Sequence, residues 1–412
     1  MRTRLRSDSR QTPLVAVISL AHALVHAIEL TYAALLLTIG DEFGIDKLVL
    51  GLIANALALT FGVGALPSGL LVDRLGAPRV LRICFLSAAA ASLLVAFSFS
   101  PLVLGLFVAV LGMAIGLYHP AALSLIAQAA ERRGMVLGYH GVAGNVGIAI
   151  APAMALAFAS TAGWRWSYVF LAVLALAVAF LVRFLPLPRR SARNESGPSP
   201  FATKTPEAPL LPLTLIFAAF LLNGFIYRGS MTFLPTLIEE EVHIRFLGID
   251  EAAIAGSLTA LALLAGGVGQ LLGGVLSDRV ELERLAPLIA LTLVPALLLM
   301  GFTGGLVLVA AAAFFVFFNF SSQPVYNVLL AEYVPGSAIG RGYGLSFFAS
   351  FGLGSTAATF SGFLADRWGT SSVFLALAAF AGVTLLLALA LWRLSRGRRL
   401  RQAVLVDTME VG

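Results

Sequence analysis

The sequence predicts an all-α membrane protein: twelve transmembrane helices in two pseudo-twofold-related six-helix bundles. Three observations predict it. Hydrophobic residues make up 59% of the 412 positions and charged residues 12%, whereas a soluble domain is nearer half apolar and a quarter charged. The apolar residues gather into twelve runs, each long enough at 1.5 Å per residue to cross a hydrocarbon core about 30 Å thick. The pattern of the first half returns in the second, on the far side of a polar stretch.

The amino-terminal "MRTRLRSDSRQTP" is basic and leads into an apolar run. That run is too long, and too rich in ionisable residues, for a cleaved signal peptide, so it reads as a retained first helix. The predicted spans of the first bundle are 13–39, 48–72, 79–98, 101–128, 134–160 and 165–187. Those of the second are 212–238, 251–277, 285–302, 305–332, 338–364 and 370–393. Short connections favour antiparallel neighbours. The exception is 188–211, "PRRSARNESGPSPFATKTPEAPLL", whose Pro, Ser and charge leave too little apolar surface to fold alone. The predicted organisation is therefore a bundle over 1–187, a cytoplasmic linker over 188–211, a second bundle over 212–393 and a basic tail over 394–412.

The net charge of +6 sets orientation and does not call for nucleic acid. Of the 27 Lys and Arg residues, 22 fall in the tails and loops of one side. Only Lys47, Arg165, Arg245 and Arg367 fall on the other. An excess of Lys and Arg marks the cytoplasmic side, which places both termini inside a multi-pass protein of a bacterial-type inner membrane. The tail "RLSRGRRLRQ" suits anionic lipid. The lone cysteine, Cys84, forbids an intrachain disulfide and reads as a small buried residue.

The halves align without gaps near their starts. "PLVAVISLAHALVHAIELTYAALLLTIGDEF" from Pro13 matches "PLTLIFAAFLLNGFIYRGSMTFLPTLIEEEV" from Pro212, which sets Glu29 opposite Arg228. "SGLLVDRLG" from Ser68 matches "GGVLSDRVE" from Gly273, and "YHPAAL" from Tyr118 matches "SQPVYN" from Ser322. "RGMVLGYHGVAG" from Arg133 matches "RGYGLSFFASFG" from Arg341. Parallel repeats of this kind build many secondary transporters, with the site near midplane between the halves.

With "GLLVDRLGAPR" (Gly69 to Arg79) between the second and third spans and the weaker "GVLSDR" (Gly274 to Arg279) at the repeat position, the chain resembles the major facilitator superfamily. "GLYHPAALSLIAQ" and "HGVAGNVGIAIAP" further resemble fosmidomycin-resistance-type exporters, a branch of the drug–proton antiporters. "AHALVHAIEL" departs from that branch in the first span, and the fourth span lacks the Arg of many drug–proton antiporters. The resemblance implies a monomeric secondary transporter working by alternating access, with spans one, four, seven and ten around a central cavity. It also implies that Asp73, with Arg74 and Arg79, gates by latching onto span eleven near Arg341. The second motif, Asp278 and Arg279, would latch onto span five near Arg133. The glycines of span five would pack against a neighbour from the other half and limit leakage, as in antiporter-type members.

The residues carry their own argument. At 100° per residue, His22, His26 and Glu29 fall within about 60° of arc on one helix face. A charge at bilayer centre costs roughly 2.5–3.5 kcal/mol on insertion scales, so that face suits a wet cavity and a function. Arg228 is the one basic residue deep within a span. If Glu29 and Arg228 met at about 4 Å, an effective dielectric near 20 would give roughly 4 kcal/mol of attraction before desolvation. Protonating Glu29 would then free Arg228 to hold an anionic cargo. Fixing helix packing is the bland alternative for both charges.

His22, His26 and His119 suit proton relay, since an unperturbed imidazole titrates near pH 6.5. A metal set of His22, His26, Glu29 and His119 is a weaker alternative, because spacing alone signals metal poorly. Pro120 should open the fourth span beside His119. His140 is either cavity-facing or packed, and His243 lies in a loop. Asn319, Gln323, Tyr326 and Asn327 recur at helical spacing in span ten, as Asn223 and Tyr227 do in span seven. These six, with Asn145 of span five, are candidates to bind substrate beside Arg228, Glu29 and His119, or else to bond between helices. Phe315, Phe317, Phe318 and Phe320 read as packing or lipid-facing residues.

No nucleotide-binding loop or catalytic triad is present in the sequence. The expectation is neither an enzyme nor a primary pump, with no cofactor and the proton gradient as driving force. The expected partners are a small-molecule substrate and the lipid bilayer, without nucleic acid. The first functional expectation is a proton-coupled exporter of a small organic, perhaps anionic, compound or drug. A proton-coupled uptake symporter, a divalent transition-metal transporter and a transport-dead sensor or scaffold stay open beside it.

Overall fold

The computed structural model describes residues 5–185, 210–243 and 251–410, with side chains over 12–185, 210–243 and 254–396. Twelve helical stretches among them are long and apolar enough to cross a membrane, as the sequence predicts. They are α1 Leu5–Ala34, α2 Lys47–Leu75, α3 Ala77–Ala96, α4 Pro101–Ala129, α5 Arg133–Thr161 and α6 Arg165–Phe184. In the second half follow α7 Leu210–Glu241, α8 Glu251–Ser277, α9 Leu282–Phe302, α10 Gly305–Tyr333, α11 Gly336–Trp368 and α12 Thr370–Glu410. The expected linker lies outside the described residues except for Leu210 and Leu211, which open α7.

Local chemistry sets the ends. The Asp46 carboxylate accepts the Val49 N–H and starts α2. Gly76, at φ 86°, ends α2 and turns the chain into α3, where Pro78 occupies the first turn. Ser100 and Pro101 open α4 in the same manner.

Four predicted spans differ in detail. The first, expected to reach 39, stops at Ala34, and a separate helix of about two turns follows over Leu36–Phe43. There the Leu35 N–H is shared between the Thr31 and Tyr32 carbonyls, which tightens the last turn. The fourth breaks at Leu117, three residues before Pro120. The eleventh is composite: α-helical over Ile339–Phe347, π-type over Phe348–Gly352, 3-10 over Leu353–Ser355, then α-helical to Trp368. The twelfth continues past 393 to Glu410, so the expected tail is helical in its backbone.

The chain forms two compact units. The first contains α1 to α6 together with Pro335–Ser355, the opening part of α11. Within it α1 lies along α5, α2 along α4, and α3 along α6. Lipid tails are as apolar as leucine, so such helices gain by close packing and not by the hydrophobic effect. Where α2 crosses α11, a Cβ on Gly69 would stand 2.5 Å from the Gly340 carbonyl oxygen. Only glycine permits that approach. At one end, Glu42 holds Arg165 at 2.6 Å and also accepts the Trp164 indole N–H.

The second unit contains α7 to α10, the rest of α11, and α12. α8 lies along α10, and α9 along α12, repeating the pairing of the first unit. Its core includes Ile226, Leu237, Met300, Phe315, Phe374 and Leu377. Phe315 and Phe320 are thus buried packing residues. In both units large apolar side chains also face outward, such as Leu52 at 59% exposure and Leu264 at 71%. Such a surface is stable against hydrocarbon.

Candidate functional site: a histidine cluster in the first unit

Three imidazoles meet where α1 passes the break in α4. His22 and His26 stand one turn apart on α1, and His119 follows Tyr118 just after the break. Nε2 of His22 lies 3.1 Å from Nε2 of His26 and 3.1 Å from Nε2 of His119. The ligand nitrogens of all three lie within 4.8 Å of one another. Pro120, which disrupts the preceding turn, accounts for the irregular backbone that carries His119 inward. The Leu117 carbonyl at the break is satisfied by the Ser68 hydroxyl at 2.7 Å.

The far edges of two rings are fixed. His22 Nδ1 donates to the His140 carbonyl at 2.6 Å, and His26 Nδ1 bonds the Glu29 carboxylate at 2.8 Å. A carbonyl only accepts, so His22 Nδ1 carries the proton, and His26 Nδ1 carries one too whenever Glu29 is a carboxylate. Each Nε2 of a neutral ring then presents a lone pair, and the two lone pairs face each other at 3.1 Å. One added positive charge resolves that opposition. A proton shared among Glu29, His26 and His22 would supply it, as would a cation drawn by the lone pairs. With Glu29 ionised, a single positive charge also leaves the cluster neutral, which limits the cost of burying it.

The surroundings hold the rings. The His140 ring stacks on His22 with centroids 3.7 Å apart. The Tyr118 hydroxyl donates to the Ile18 carbonyl at 2.8 Å and lies 3.1 Å from His140 Nε2. A Cβ on Gly144 would stand 2.5 Å from His22 Cε1, so the glycine makes room for the imidazole. Phe347 stacks on His119 at 4.5 Å, from the turn just before the π-type segment of α11. Nδ1 of His119 has no hydrogen-bond partner among the described residues. His22 and His119 are buried, while the side chains of His26 and Glu29 keep 14% and 16% exposure.

The structure thus brings His22, His26, Glu29 and His119 together, but Glu29 bonds His26 on the ring edge away from the convergence. It is not a fourth ligand of the metal set considered from the sequence. Tyr118 is the participant that sequence reasoning missed, and His140, left open there between a cavity and packing, is the other. The signal was present: His140 and Gly144 stand one turn apart on one face of α5. Gly144 and Gly147 of α5 lie against α1 of their own unit, at His22 and the Ala23 carbonyl.

Other candidates are placed as follows. Asp73 accepts the Gly340 N–H at 2.8 Å, the Arg341 N–H at 3.2 Å and the Arg341 Nε–H at 2.8 Å, all at the start of α11. Arg74 is exposed, and exposed Arg79 bonds the Leu75 carbonyl at 3.3 Å. Asp278 and Arg279 are exposed beyond the end of α8. In the second unit, Gln270 donates to the Gln323 side chain at 2.9 Å, and Asn327 to the Gln323 carbonyl at 2.9 Å. Buried Asn319 keeps an amide nitrogen without a partner among the described residues. The Tyr227 ring meets Phe320, and Tyr326 lies beside Asn223. Arg228 and Asn145 are half-buried on α7 and α5, and His243 is exposed.

A family model described as Major Facilitator Superfamily matches residues 18–358 and 247–405. Among solved structures, the proton:xylose symporter XylE is 14% identical with TM-score 0.75, over 92% of this chain and 95% of its own. The E. coli fucose:proton symporter FucP is 17% identical with TM-score 0.69, over 92% and 98%. The human organic anion transporter MFSD10 is 17% identical with TM-score 0.75, over 92% and 99%. Among curated proteins no significant match is found.

Proposed function

The chain belongs to the Major Facilitator Superfamily of membrane transporters, and we propose that it couples transport to protons at the cluster of Glu29, His26, His22 and His119. The observation that carries this is the pair of Nε2 atoms facing each other at 3.1 Å while both Nδ1 atoms are engaged. A proton entering at the partly exposed Glu29–His26 end makes His26 an imidazolium between a carboxylate and the His22 lone pair. His119 then extends the relay into the unit, and losing the proton restores the opposition of lone pairs. The XylE and FucP titles name proton symporters, which supports proton use by a chain of this fold.

The cargo is a small organic anion, held by the permanent charge of Arg228. Asn223, Tyr227, Asn319, Gln323, Tyr326 and Asn327 of the same unit supply polar contacts. The organic anion named in the MFSD10 title supports this class. The likeness of the His-Pro and Gly-Asn-x-Gly motifs to exporters supports outward movement, through a monomer in the inner membrane with both termini in the cytoplasm. Asp73 and Arg341 act as the latch of the alternating-access cycle, and Asp278 with Arg279 as its weaker repeat.

The test is reconstitution into vesicles with an imposed pH gradient and a panel of organic acids and drugs. Wild type moves one class of cargo down the proton gradient, and Glu29→Gln loses at least about tenfold of that movement, the equivalent of roughly 1.4 kcal/mol. Gradient-free exchange of cargo persists in the variant. Unchanged pH dependence in Glu29→Gln overturns the scheme.

A further inference from the structure

We infer that His22, His26 and His119 form a binding site for a borderline divalent transition-metal ion of the zinc(II) class. Three Nε2 atoms converge, two separations are 3.1 Å, and the ligand nitrogens all lie within 4.8 Å. Metal–nitrogen bonds of 2.0–2.1 Å in a tetrahedron place ligand nitrogens about 3.3 Å apart. The two short separations are within a few tenths of an ångström of that.

The outer shell fits the same reading. A metal-binding histidine gives its other N–H to a carboxylate or a backbone carbonyl, which fixes its tautomer. His26 does so to Glu29 at 2.8 Å, and His22 to the His140 carbonyl at 2.6 Å. His119 is held by stacking on Phe347 at 4.5 Å and has no competing hydrogen bond at Nδ1. Metal-bound through Nε2, it needs no change in the other two rings.

Ligand chemistry selects the ion. Three imidazoles suit zinc, nickel, cobalt or copper, whereas calcium and magnesium require oxygen donors. The one carboxylate here is spent on the far edge of His26. Three protein ligands leave a fourth position open to exchange, as sites that release what they bind require. This inference goes beyond proton coupling and does not depend on it, because binding is read without a gradient.

The experiment titrates cobalt(II), then zinc(II), into the purified, chelator-stripped full chain in detergent. We expect one equivalent of cobalt with the visible bands of a nitrogen-ligated tetrahedral ion, displaced by zinc. Binding is lost in His22→Ala and His119→Ala, and Glu29→Ala weakens it by about 10- to 100-fold. Because a histidine variant can fail to fold, X-ray absorption of the zinc-loaded wild type gives a second readout: three imidazole nitrogens near about 2.0 Å. No stoichiometric binding, an oxygen-only shell, or full binding by folded His22→Ala overturns the inference. Failure here leaves proton-driven transport in chelated buffer untouched, and failure of the proton scheme leaves the titration untouched.

Discussion

His119–Pro120 in the first unit and Gln323–Pro324 in the second occupy one position of the repeat, yet they do different things. α4 breaks at Leu117, and its histidine joins a hub of ring nitrogens. α10 runs unbroken from Gly305 to Tyr333 through Pro324. Its glutamine makes an amide pair with Gln270 and accepts Asn327 at its own carbonyl. Both units tie the second helix of the repeat to the fourth by a serine hydroxyl on a carbonyl, but in opposite senses. Ser68 of α2 reaches Leu117, and Ser321 of α10 reaches Gly269. The repeat has kept the helix pairing and exchanged the chemistry. At this level imidazoles and the Glu29 carboxylate sit in the first unit, and amides with the permanent charge of Arg228 sit in the second. Such a division suits a transporter in which one half handles the coupling ion and the other recognises cargo.

A reciprocal exchange tests that division most severely. His119→Gln puts the second unit's residue into the first and removes a ring nitrogen from the hub. We expect loss of at least about tenfold in proton-driven accumulation, roughly the 1–3 kcal/mol of a buried polar group left unmatched. Gln323→His should change coupling less than about threefold and act instead on apparent cargo affinity. Vesicle transport at several imposed pH gradients measures both. Equal effects of the two substitutions on coupling would break the comparison.

The latch residues sharpen the comparison from the side of gating. The Arg341 side chain is 57% exposed, so its ion pair with Asp73 contributes little in water. The Gly340 and Arg341 amides are the larger part, because the Asp73 carboxylate caps the start of α11. Asp73→Ala should therefore speed hydrogen exchange in the peptide carrying those amides by about fivefold, for a cap of about 1 kcal/mol. Asp73→Asn, which keeps one oxygen, should fall between. Exchange in α8 and α10 should change less, since the cap itself belongs to the first unit.

What the sequence disclosed follows from what lipid demands. Apolar runs of about 20 residues are obligatory in hydrocarbon, so all twelve spans were visible. His22, His26 and Glu29 could be placed on one face by helical arithmetic alone. Irregular backbone was less visible. The break at Leu117 follows from Pro120, but the stop at Ala34 and the π-type turn at Phe348–Gly352 depend on tertiary packing. The Glu29–His26 bond is the instructive addition, because His26 stands three residues away on the same helix, where side chains are neighbours by construction. Local geometry supplied a bond that long-range symmetry did not foretell. His140 was left undecided because its contribution to His22 comes partly from its backbone carbonyl, which no residue type advertises.

The smallest expected effect lies in the second unit. Gln270 is buried and donates its side-chain amide to Gln323 at 2.9 Å. Gln270→Ala removes that donor and leaves the Gln323 oxygen to find another partner. A buried acceptor left unmatched costs about 1–3 kcal/mol, but hydrogen bonds between membrane helices average nearer 0.6 kcal/mol because partners can be exchanged. Gln323 is only half-buried, so the lower figure governs. We expect a drop of a few degrees or less in the thermal midpoint of the detergent-purified chain, and proton coupling within about twofold of wild type. If Gln270→Ala abolished the response to a pH gradient as His119→Gln does, the amide pair would belong to the proton path. The difference between the two repeats would then be one of residue type without a difference of role.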